Sequence, residues 1–340
     1  MKVAVVVPVP QGQGRGGAEI LADELVRGLR DRGAEAERVD VSSDESDFGS
    51  LERTLHKFRA LDLSAYDGIV STKAPSYLVE HPNHVCYLLH TLRSFYDRFD
   101  DEFPSAPRPV RRLRDLIHGL DRAALAGPRV RKIFAISREV ALRLALWNGL
   151  EAEVIHPGLP PGPYACGGAS HLFLPSRLHR WKRIGLLIEA IGLVKSPIGL
   201  KIAGDGEEAS RLRSLAGKNG RIQLMGQIPR EMVLGLYAEA LAVPFVPVAE
   251  DFGFVTAEAF ACGKPVITCR DSGEPARLVR DGQTGFVCDA KPADIAARID
   301  RLAADPPEAA AMGARARETA AFPAWEEIGG RLLAELERGR

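Results

Sequence analysis

Two glutamates with seven residues between them are the first candidates for chemistry in this sequence. The apolar run 242–246 predicts a strand that leads to Glu250, and the pattern from Val255 predicts a helix with Glu258 in its first turn. A carboxylate accepts hydrogen bonds from two hydroxyl groups at once, which suits a ribose or sugar diol. We therefore predict that both carboxylates face one crevice. Taken singly, Glu258 could instead be a partner of the helix dipole and Glu250 a solvated surface group.

The loop between these glutamates leads into a helix start that could bind an anion. Gly253 allows the chain to turn close to a ligand. The N–H groups of Gly253, Phe254 and Val255 precede the first hydrogen bond within the helix and carry partial positive charge. We predict that these three groups point at a diphosphate.

A basic segment follows the predicted strand His171–Pro175, at the end where doubly wound sheets bind their ligands. Its sequence at residues 176–183 is S-R-L-H-R-W-K-R. Arg177 can make bidentate contacts to a phosphate and Lys182 adds a point charge, so that together they could neutralise a departing diphosphate. A solvated basic helix start is the alternative. Glycine-containing turns after two further predicted strands could admit a base and a ribose. The candidates in these turns are Gly204, Gly226 and Gln227.

A glycine-rich segment, G-Q-G-R-G-G at residues 12–17, lies between a predicted strand and a predicted helix. It satisfies the dinucleotide-binding pattern G-x-G-x-x-G, and Asp40 falls at the end of the next predicted strand, where an acid would bind a ribose. Residues 8–11 argue against a nicotinamide cofactor, because they separate the first glycine from the strand. We predict a cleft loop in which Gly16 and Gly17 offer free N–H groups to an anion or a sugar. A structural turn and a nicotinamide site are the alternatives.

The order of strand-like and helix-like segments predicts an α/β chain of two doubly wound Rossmann-like domains that face each other across a cleft. At 340 residues the chain is long enough for two such domains. A Pro- and Gly-rich segment at 157–169 marks the linker. The predicted regions are an acceptor-side domain at 1–160, a donor-side domain at 170–322, and a C-terminal helix at 323–340 that could pack on either domain.

The composition excludes several classes of partner. Lys and Arg together number 45, as do Asp and Glu, so no net charge attracts nucleic acid or an anionic membrane. The five cysteines are scattered without a C-x-x-C pair, which fits reduced thiols in a cytoplasm. The chain starts without a signal-peptide pattern, and no run reaches the roughly 18 apolar residues of a membrane span. We predict a cytoplasmic protein that binds no nucleic acid.

In their order and spacing, these residues resemble the retaining glycosyltransferases of the GT-B fold, specifically glycosyltransferase family 4. The resemblance extends over most of the chain. Arg277 is a departure, since the family more often has Glu there, and this leaves the hydrogen bonding of its turn open. The resemblance is carried by Gly16-Gly17-Ala18-Glu19, His90, Ser137, Arg177, Lys182, Gly204-Asp205-Gly206, Glu250, Glu258 and Gly263-Lys264-Pro265-Val266.

For the C-terminal domain, the resemblance implies that Glu258 binds the donor ribose and Glu250 the transferred sugar. It also implies that Arg177 and Lys182 hold the diphosphate. The donor would be a UDP- or GDP-sugar, and the acceptor a hydroxyl group of a glycan, a small molecule or a lipid-linked molecule.

For the N-terminal domain, the resemblance implies that His90 contacts the sugar near the reacting carbon and that Gly16 and Gly17 line the sugar site. Without it, His90 would be interpreted as an ordinary core or surface histidine. The arginine-rich stretch 108–122 fits an amphipathic helix packed on its own sheet, and equally a basic surface that related enzymes use to reach membrane-borne acceptors. Peripheral contact with the inner membrane face is therefore left open.

The resemblance implies that the reaction keeps the anomeric configuration. The sequence offers no well-placed carboxylate nucleophile for double displacement, so we predict front-face attack assisted by the leaving phosphate. Neither a metal nor a cofactor is predicted, because basic side chains and helix amides supply the positive charge. The acidic residues Asp97, Asp100 and Asp101 are interpreted as surface acids. The alternatives are a nucleotide-sugar epimerase or a phosphorylase on the same fold, an NAD-dependent oxidoreductase and a non-catalytic homologue.

Overall fold

The computed structural model describes residues 1–10, 16–217 and 219–339. Within these residues the chain forms two parallel sheets of six strands each. Neighbouring parallel strands need a long crossover connection, and the helical segments between the strands supply it. The predicted fold class, two doubly wound Rossmann-like domains, is confirmed in this architecture.

The chain divides into two compact units. The first is made of Met1–Pro160 together with Pro323–Arg340, and the second of Pro161–Phe322. The change of unit after Pro160 falls inside the Pro- and Gly-rich segment 157–169. Each unit has its own buried apolar core.

The first unit begins with a strand whose residues Val3–Val7 are all buried, as expected for a β-branched run covered on both faces. Its strands are β1 (Lys2–Pro10), β2 (Glu35–Ser43), β3 (Gly68–Ser71), β4 (His84–Leu88), β5 (Val130–Ala135) and β6 (Glu153–Val154). Its helices up to this point are α1 (Gly17–Asp31), α2 (Phe48–Arg59), α3 (Phe99–Glu102), α4 (Arg108–Leu125) and α5 (Arg138–Asn148), with 3₁₀ turns at Ser76–Leu78 and Arg93–Phe95. The strand order is β2-β1-β3-β4-β5-β6.

The second unit repeats the plan. Its strands are β7 (His171–Pro175), β8 (Leu200–Ala203), β9 (Ile222–Leu224), β10 (Ala240–Pro244), β11 (Val266–Cys269) and β12 (Gly285–Cys288). Its helices are α6 (Ile184–Leu193), α7 (Ala209–Ala216), α8 (Arg230–Ala238), α9 (Phe254–Ala261), α10 (Glu274–Leu278), α11 (Pro292–Ala304) and α12 (Pro306–Thr319), with a 3₁₀ turn at Arg180–Lys182. The strand order β12-β11-β10-β7-β8-β9 puts the topological switch point between β7 and β10, where such sheets bind ligands.

The last helix, α13 (Trp325–Glu337), belongs to the first unit and packs on α1. The Trp325 indole N–H donates to the Leu159 carbonyl at 2.9 Å. At the other end of the helix, the Asn83 side-chain amide donates to the Leu336 carbonyl at 2.9 Å. The sequence left the packing partner of this helix undecided, and these contacts identify it.

Helix α4 carries the arginine-rich stretch. Its residues Val110 and Ile117 are buried in the core of its own unit, while Arg108, Arg111 and Arg112 are exposed. This is the amphipathic helix that the sequence predicted. In the part of the chain that the structure describes, no helix is both long and apolar enough to cross a bilayer.

Candidate active site

The loops after β7 and β10 bring Lys182 and Glu250 together at the switch point of the second sheet. The Lys182 ammonium Nζ lies 2.7 Å from Oε1 and 2.6 Å from Oε2 of the Glu250 carboxylate. The two side chains are 23% and 20% exposed, so a ligand can reach both. Each charge has a partner while it is largely shielded from water. The sequence predicted both residues for the site, although not as a pair.

The backbone of Glu250 is held by the loop after β11. Its N–H donates to the Ser272 carbonyl at 2.9 Å, and its carbonyl accepts from the Glu274 N–H at 3.1 Å. Gly273 lies between these contacts with a φ of +74°, and a Cβ there would lie 2.5 Å from the Glu250 carbonyl oxygen. Glycine is therefore required by both the conformation and the close approach. Arg277, the departure from the family pattern, lies with Nε 3.9 Å from the carboxylate of the buried Glu274.

Glu258 lies inside α9, and its predicted place in the first turn is wrong. The helix starts after Gly253, which has a φ of +79°, so Glu258 is its fifth residue. The side chain is buried, with one carboxylate oxygen 2.6 Å from Nη1 of Arg230. Burial raises the pKa of Glu258, while Arg230 and the Tyr237 hydroxyl oppose the rise. Because Glu258 lies beyond the first turn and its carboxylate pairs with Arg230, its interpretation as a partner of the helix dipole is also wrong.

Arg230 is a site residue that the sequence analysis missed. It is the first residue of α8, and its guanidinium also donates to the Tyr164 hydroxyl at 3.0 Å. Tyr237 lies seven residues further along the same helix and therefore on the same face. Its hydroxyl donates to the Val255 carbonyl at 3.4 Å, and its nearness to Glu258 lowers the pKa of that carboxyl. An arginine and a tyrosine at this spacing, in the helix that follows a glycine turn, were the available signal for a polar cluster.

Two predicted phosphate contacts lie at the carboxyl ends of the same strands. Among the described residues, Thr256 is the first of α9 to donate its N–H to a backbone carbonyl, that of Gly253, at 2.9 Å. The N–H groups of Gly253, Phe254 and Val255 precede this bond, as expected at a helix start. Arg177 is exposed in the loop after β7, and no described carboxylate pairs with its guanidinium. Its side chain is therefore able to turn toward an anion.

The turns after β8 and β9 lie at the same edge and are joined to each other. The Gly204 N–H donates to the Gly226 carbonyl at 2.7 Å. A Cβ on Gly204 would lie 2.0 Å from the Ser176 carbonyl oxygen, so the close packing of two loops already explains this glycine. Around Gly226 an added Cβ would meet no described atom within 4 Å, and Gln227 is exposed. A role for the three residues in binding a base and a ribose stays a prediction.

In the first unit, Gly12 and Gly14 of the glycine-rich segment lie outside the described residues. Gly17 begins α1, and the Gly16 N–H donates to the Glu19 carboxylate at 2.8 Å. The prediction that Gly16 offers a free N–H group is therefore wrong. Although burial of Glu19 opposes the change, this hydrogen bond and the Lys73 ammonium, 3.6 Å away, lower its pKa.

His90 follows β4 at the carboxyl end of the strand. Its Nδ1 lies 2.9 Å from the Thr91 carbonyl oxygen, which requires the proton to be on Nδ1. Its own carbonyl accepts from the Ala74 N–H at 3.0 Å. The ring is therefore oriented by its neighbour, while its proposed contact with a sugar is a prediction that these contacts leave open.

Two acidic residues differ from their predicted surroundings. Asp40 lies inside β2, which continues to Ser43, and it pairs with Nε of Arg38 at 2.5 Å. Its predicted place at the strand end is wrong, which weakens the case for a nicotinamide cofactor. Asp97 is not a surface acid as predicted, because its side chain is only 17% exposed and is paired. Its partners are Arg93 at 2.6 Å and Arg98 and Arg143 at 3.7 Å.

Residues 170–319 match the family model described as glycosyl transferases group 1. The matched segment covers most of the second unit. It contains the predicted residues Arg177, Lys182, Glu250 and Glu258, whereas His90 lies outside it.

Curated relatives carry related names. The chain is 34% identical over 238 residues to the GDP-mannose-dependent alpha-(1-6)-phosphatidylinositol monomannoside mannosyltransferase of Mycolicibacterium smegmatis. This alignment covers 60% of this chain and 61% of the relative. It is 30% identical over 193 residues to the D-inositol 3-phosphate glycosyltransferase of Arthrobacter sp., which covers 52% of this chain and 46% of the relative. The match thus spans about half to three fifths of the length of these relatives.

Solved structures extend the similarity to the whole chain. The Anabaena protein HepE, in complex with UDP and glucose, has a TM-score of 0.75 at 19% identity, with both chains fully covered. Sucrose-phosphate synthase from Thermosynechococcus elongatus has a TM-score of 0.79 at 19% identity and the same coverage. At this level of identity the likeness establishes the fold, and function has to be argued from the site.

Proposed function

We propose that this chain is a retaining glycosyltransferase of family 4, with the GT-B fold, that transfers a sugar from a UDP- or GDP-sugar to a hydroxyl acceptor. The observation that carries the proposal is the Lys182–Glu250 pair at the switch point of the second sheet. It joins a cation suited to a diphosphate and a carboxylate suited to sugar hydroxyls. The match of residues 170–319 to glycosyl transferases group 1 supports the same function.

The diphosphate is held by Arg177, Lys182 and the first amides of α9. As the bond to the sugar breaks, negative charge grows on the leaving diphosphate, and these groups stabilise it. Their positive charge supplies what the leaving group needs, so the proposed reaction uses neither a metal nor a cofactor. Glu258 binds the ribose diol, and Arg230 keeps its buried carboxylate charged and oriented.

Glu250 accepts hydrogen bonds from hydroxyls of the transferred sugar. In the unliganded arrangement Lys182 engages both of its oxygens, and a donor gives the ammonium a second anionic partner, which frees carboxylate lone pairs for the sugar. Because Glu250 makes these hydrogen bonds and does not act as a nucleophile, the proposed route is front-face attack assisted by the leaving phosphate. His90 and Gly17 contribute the sugar-side contacts from the first unit.

The names of the relatives guide the choice of substrates. One relative is named as dependent on GDP-mannose, and both names contain an inositol compound. HepE was crystallised with UDP and glucose. GDP-mannose, UDP-glucose and D-inositol 3-phosphate are therefore the first substrates to test. A cytoplasmic location fits the five free thiols.

A thermal-shift screen with UDP, GDP, ADP, dTDP and NAD tests the proposed donor site. A ligand that binds only the native state stabilises it by about 2.7 kcal/mol at 100 times its dissociation constant. We expect UDP or GDP to raise the melting temperature, and Arg177→Ala and Glu258→Gln to abolish the shift. Arg177 is exposed, so its replacement leaves the fold intact. Stabilisation by NAD alone would instead support an oxidoreductase.

A further inference from the structure

Two residues with unfavourable backbone conformations flank the Lys182–Glu250 pair. Arg183, directly after Lys182, has a φ of +50°, and Ala249, directly before Glu250, has a φ of +42°. Among the described residues other than glycine, these are the only two with positive φ. Residues with a Cβ rarely adopt a positive φ, and this conformation persists where the surrounding structure enforces it. The contacts around this pair must therefore compensate for strain on both sides.

The Arg183 guanidinium supplies these contacts. Its Nε donates to the Val246 carbonyl at 2.7 Å, and its Nη2 donates to the Pro247 carbonyl at 2.7 Å. Nη1 and Nη2 also bind the two carboxylate oxygens of Asp271, at 2.8 and 2.7 Å. One planar side chain thus joins the loops after β7, β10 and β11. The side chain is only 18% exposed, which strengthens these charge-assisted bonds.

The backbones of the three loops are joined at the same place. The Val248 N–H donates to the Trp181 carbonyl at 2.8 Å, and the Ala249 N–H donates to the Asp271 carbonyl at 2.8 Å. The segment that leads to Glu250 therefore lies between the loop of Lys182 and the loop of Asp271. Displacement of any one loop changes the distance between the ammonium and the carboxylate.

We infer that Arg183 is a positioning residue, which sets the spacing of Lys182 and Glu250 for the diphosphate and the transferred sugar. The inference rests on the proposed function, because it assigns those two groups to the donor. Asp271 neutralises the guanidinium, so Arg183 acts through the geometry of the loops and not as a further phosphate ligand. Its loss would misplace two reacting groups together while the nucleoside end of the site stays in place.

The experiment compares Arg183→Ala and Arg183→Gly with Arg221→Ala. Arg221 is a matched control, because its guanidinium also binds three acceptors, at the amino ends of the strands. These acceptors are the carbonyls of Ile191, Val194 and Ser196. Turnover is measured with UDP-glucose and GDP-mannose, and binding with UMP and GMP, which keep the ribose and lack the second phosphate and the transferred sugar. Urea unfolding of each variant gives its stability.

We expect both Arg183 variants to lower kcat about tenfold or more, since a misplacement of about 1 Å can cost a hundredfold. KM should change less than kcat, and the affinity for the monophosphate should stay within about twofold of wild type. Glycine relieves the strained φ without restoring the contacts of the guanidinium, so Arg183→Gly should be as slow as Arg183→Ala. Arg221→Ala should lose stability and keep the wild-type kcat.

Three results would overturn the inference. The first is a wild-type kcat in Arg183→Ala, and the second is an equal loss of kcat in Arg221→Ala. The third is recovery of kcat in Arg183→Gly, which would show that only the backbone conformation matters. If the alanine variant does not fold, Arg183→Lys takes its place, because lysine keeps the charge and cannot bridge all three acceptors. A wild-type kcat in Arg183→Lys would then contradict the positioning role of the guanidinium. Absence of turnover by the wild-type chain itself would instead refute the proposed function.

Discussion

Replacement of Gly273 by alanine tests whether the position of Glu250 controls activity. The added Cβ would lie 2.5 Å from the Glu250 carbonyl oxygen and 2.6 Å from its nitrogen. To reach an ordinary contact of 3.4 Å, the Glu250 backbone has to move by about 0.9 Å. A displacement of this size at a reacting group is expected to lower kcat by about a hundredfold.

The same substitution also destabilises the fold, and this effect has to be separated from the first. A non-glycine residue at the φ of +74° together with the overlap costs about 2–4 kcal/mol. A native state stabilised by about 5–15 kcal/mol stays folded under that loss. Gly282 provides the control, because its φ is +72° and an added Cβ would meet no described atom within 4 Å. Gly282→Ala should cost about 1–2 kcal/mol and leave kcat unchanged.

The assay combines urea unfolding with the rate of nucleotide release from UDP-glucose and GDP-mannose. We expect Gly273→Ala to be slow at temperatures where it is fully folded, and Gly282→Ala to match wild type. Equal rates in the two folded variants would refute the reasoning, because they would show that Glu250 tolerates displacement.

Three further predictions concern charges. Burial raises the pKa of Asp121 to about 7, against the hydrogen bond from Tyr96, so the folded state holds a proton that the unfolded chain releases. The resulting loss in the free energy of unfolding is absent below about pH 4, grows to roughly 4 kcal/mol by pH 7 and persists above it. Asp121→Asn should remove this dependence on pH, as measured by urea unfolding at a series of pH values. Arg230→Met leaves the buried Glu258 without its cation and should lower the free energy of unfolding by about 3 kcal/mol, whereas the double variant with Glu258→Leu should recover most of it. If Arg230→Met lowers the free energy of unfolding, measured with urea, by less than about 1 kcal/mol, the importance of the pair with Glu258 is contradicted. Lys182→Ala should reduce kcat more than donor affinity in steady-state kinetics, and equal losses would count against leaving-group assistance.

Much of the fold follows from local sequence. The buried run Val3–Val7 predicts a strand directly, and the repeated alternation of such runs with helical periods predicts two parallel sheets. The residue pattern gives no such signal for β12, because Gly285–Cys288 is a short segment that begins with glycine and has no clear alternation. Glu258 was placed in the first turn of α9 and lies one residue beyond it, because the helix begins at Phe254 and not at Val255. This start depends on the left-handed conformation of Gly253, which a residue pattern does not determine.

The pairings within the site depended on the order of the strands. Lys182 and Glu250 are 68 residues apart, and they meet only because β7 and β10 are neighbours. Arg183 looked like one more basic residue in a cluster, although its side chain points back to two carbonyls and Asp271. Residue types and spacing therefore identified which groups could do chemistry, and tertiary contacts decided which groups act together.

The most direct test of the proposed function follows UDP-glucose and GDP-mannose by NMR in the presence of the chain, with and without D-inositol 3-phosphate. We predict release of UDP or GDP with a sugar product that keeps the α configuration, and loss of this release in Lys182→Ala and Glu250→Gln. Conversion of the donor to an epimer with the nucleotide still attached, or an unchanged donor under all conditions, would contradict a glycosyltransferase.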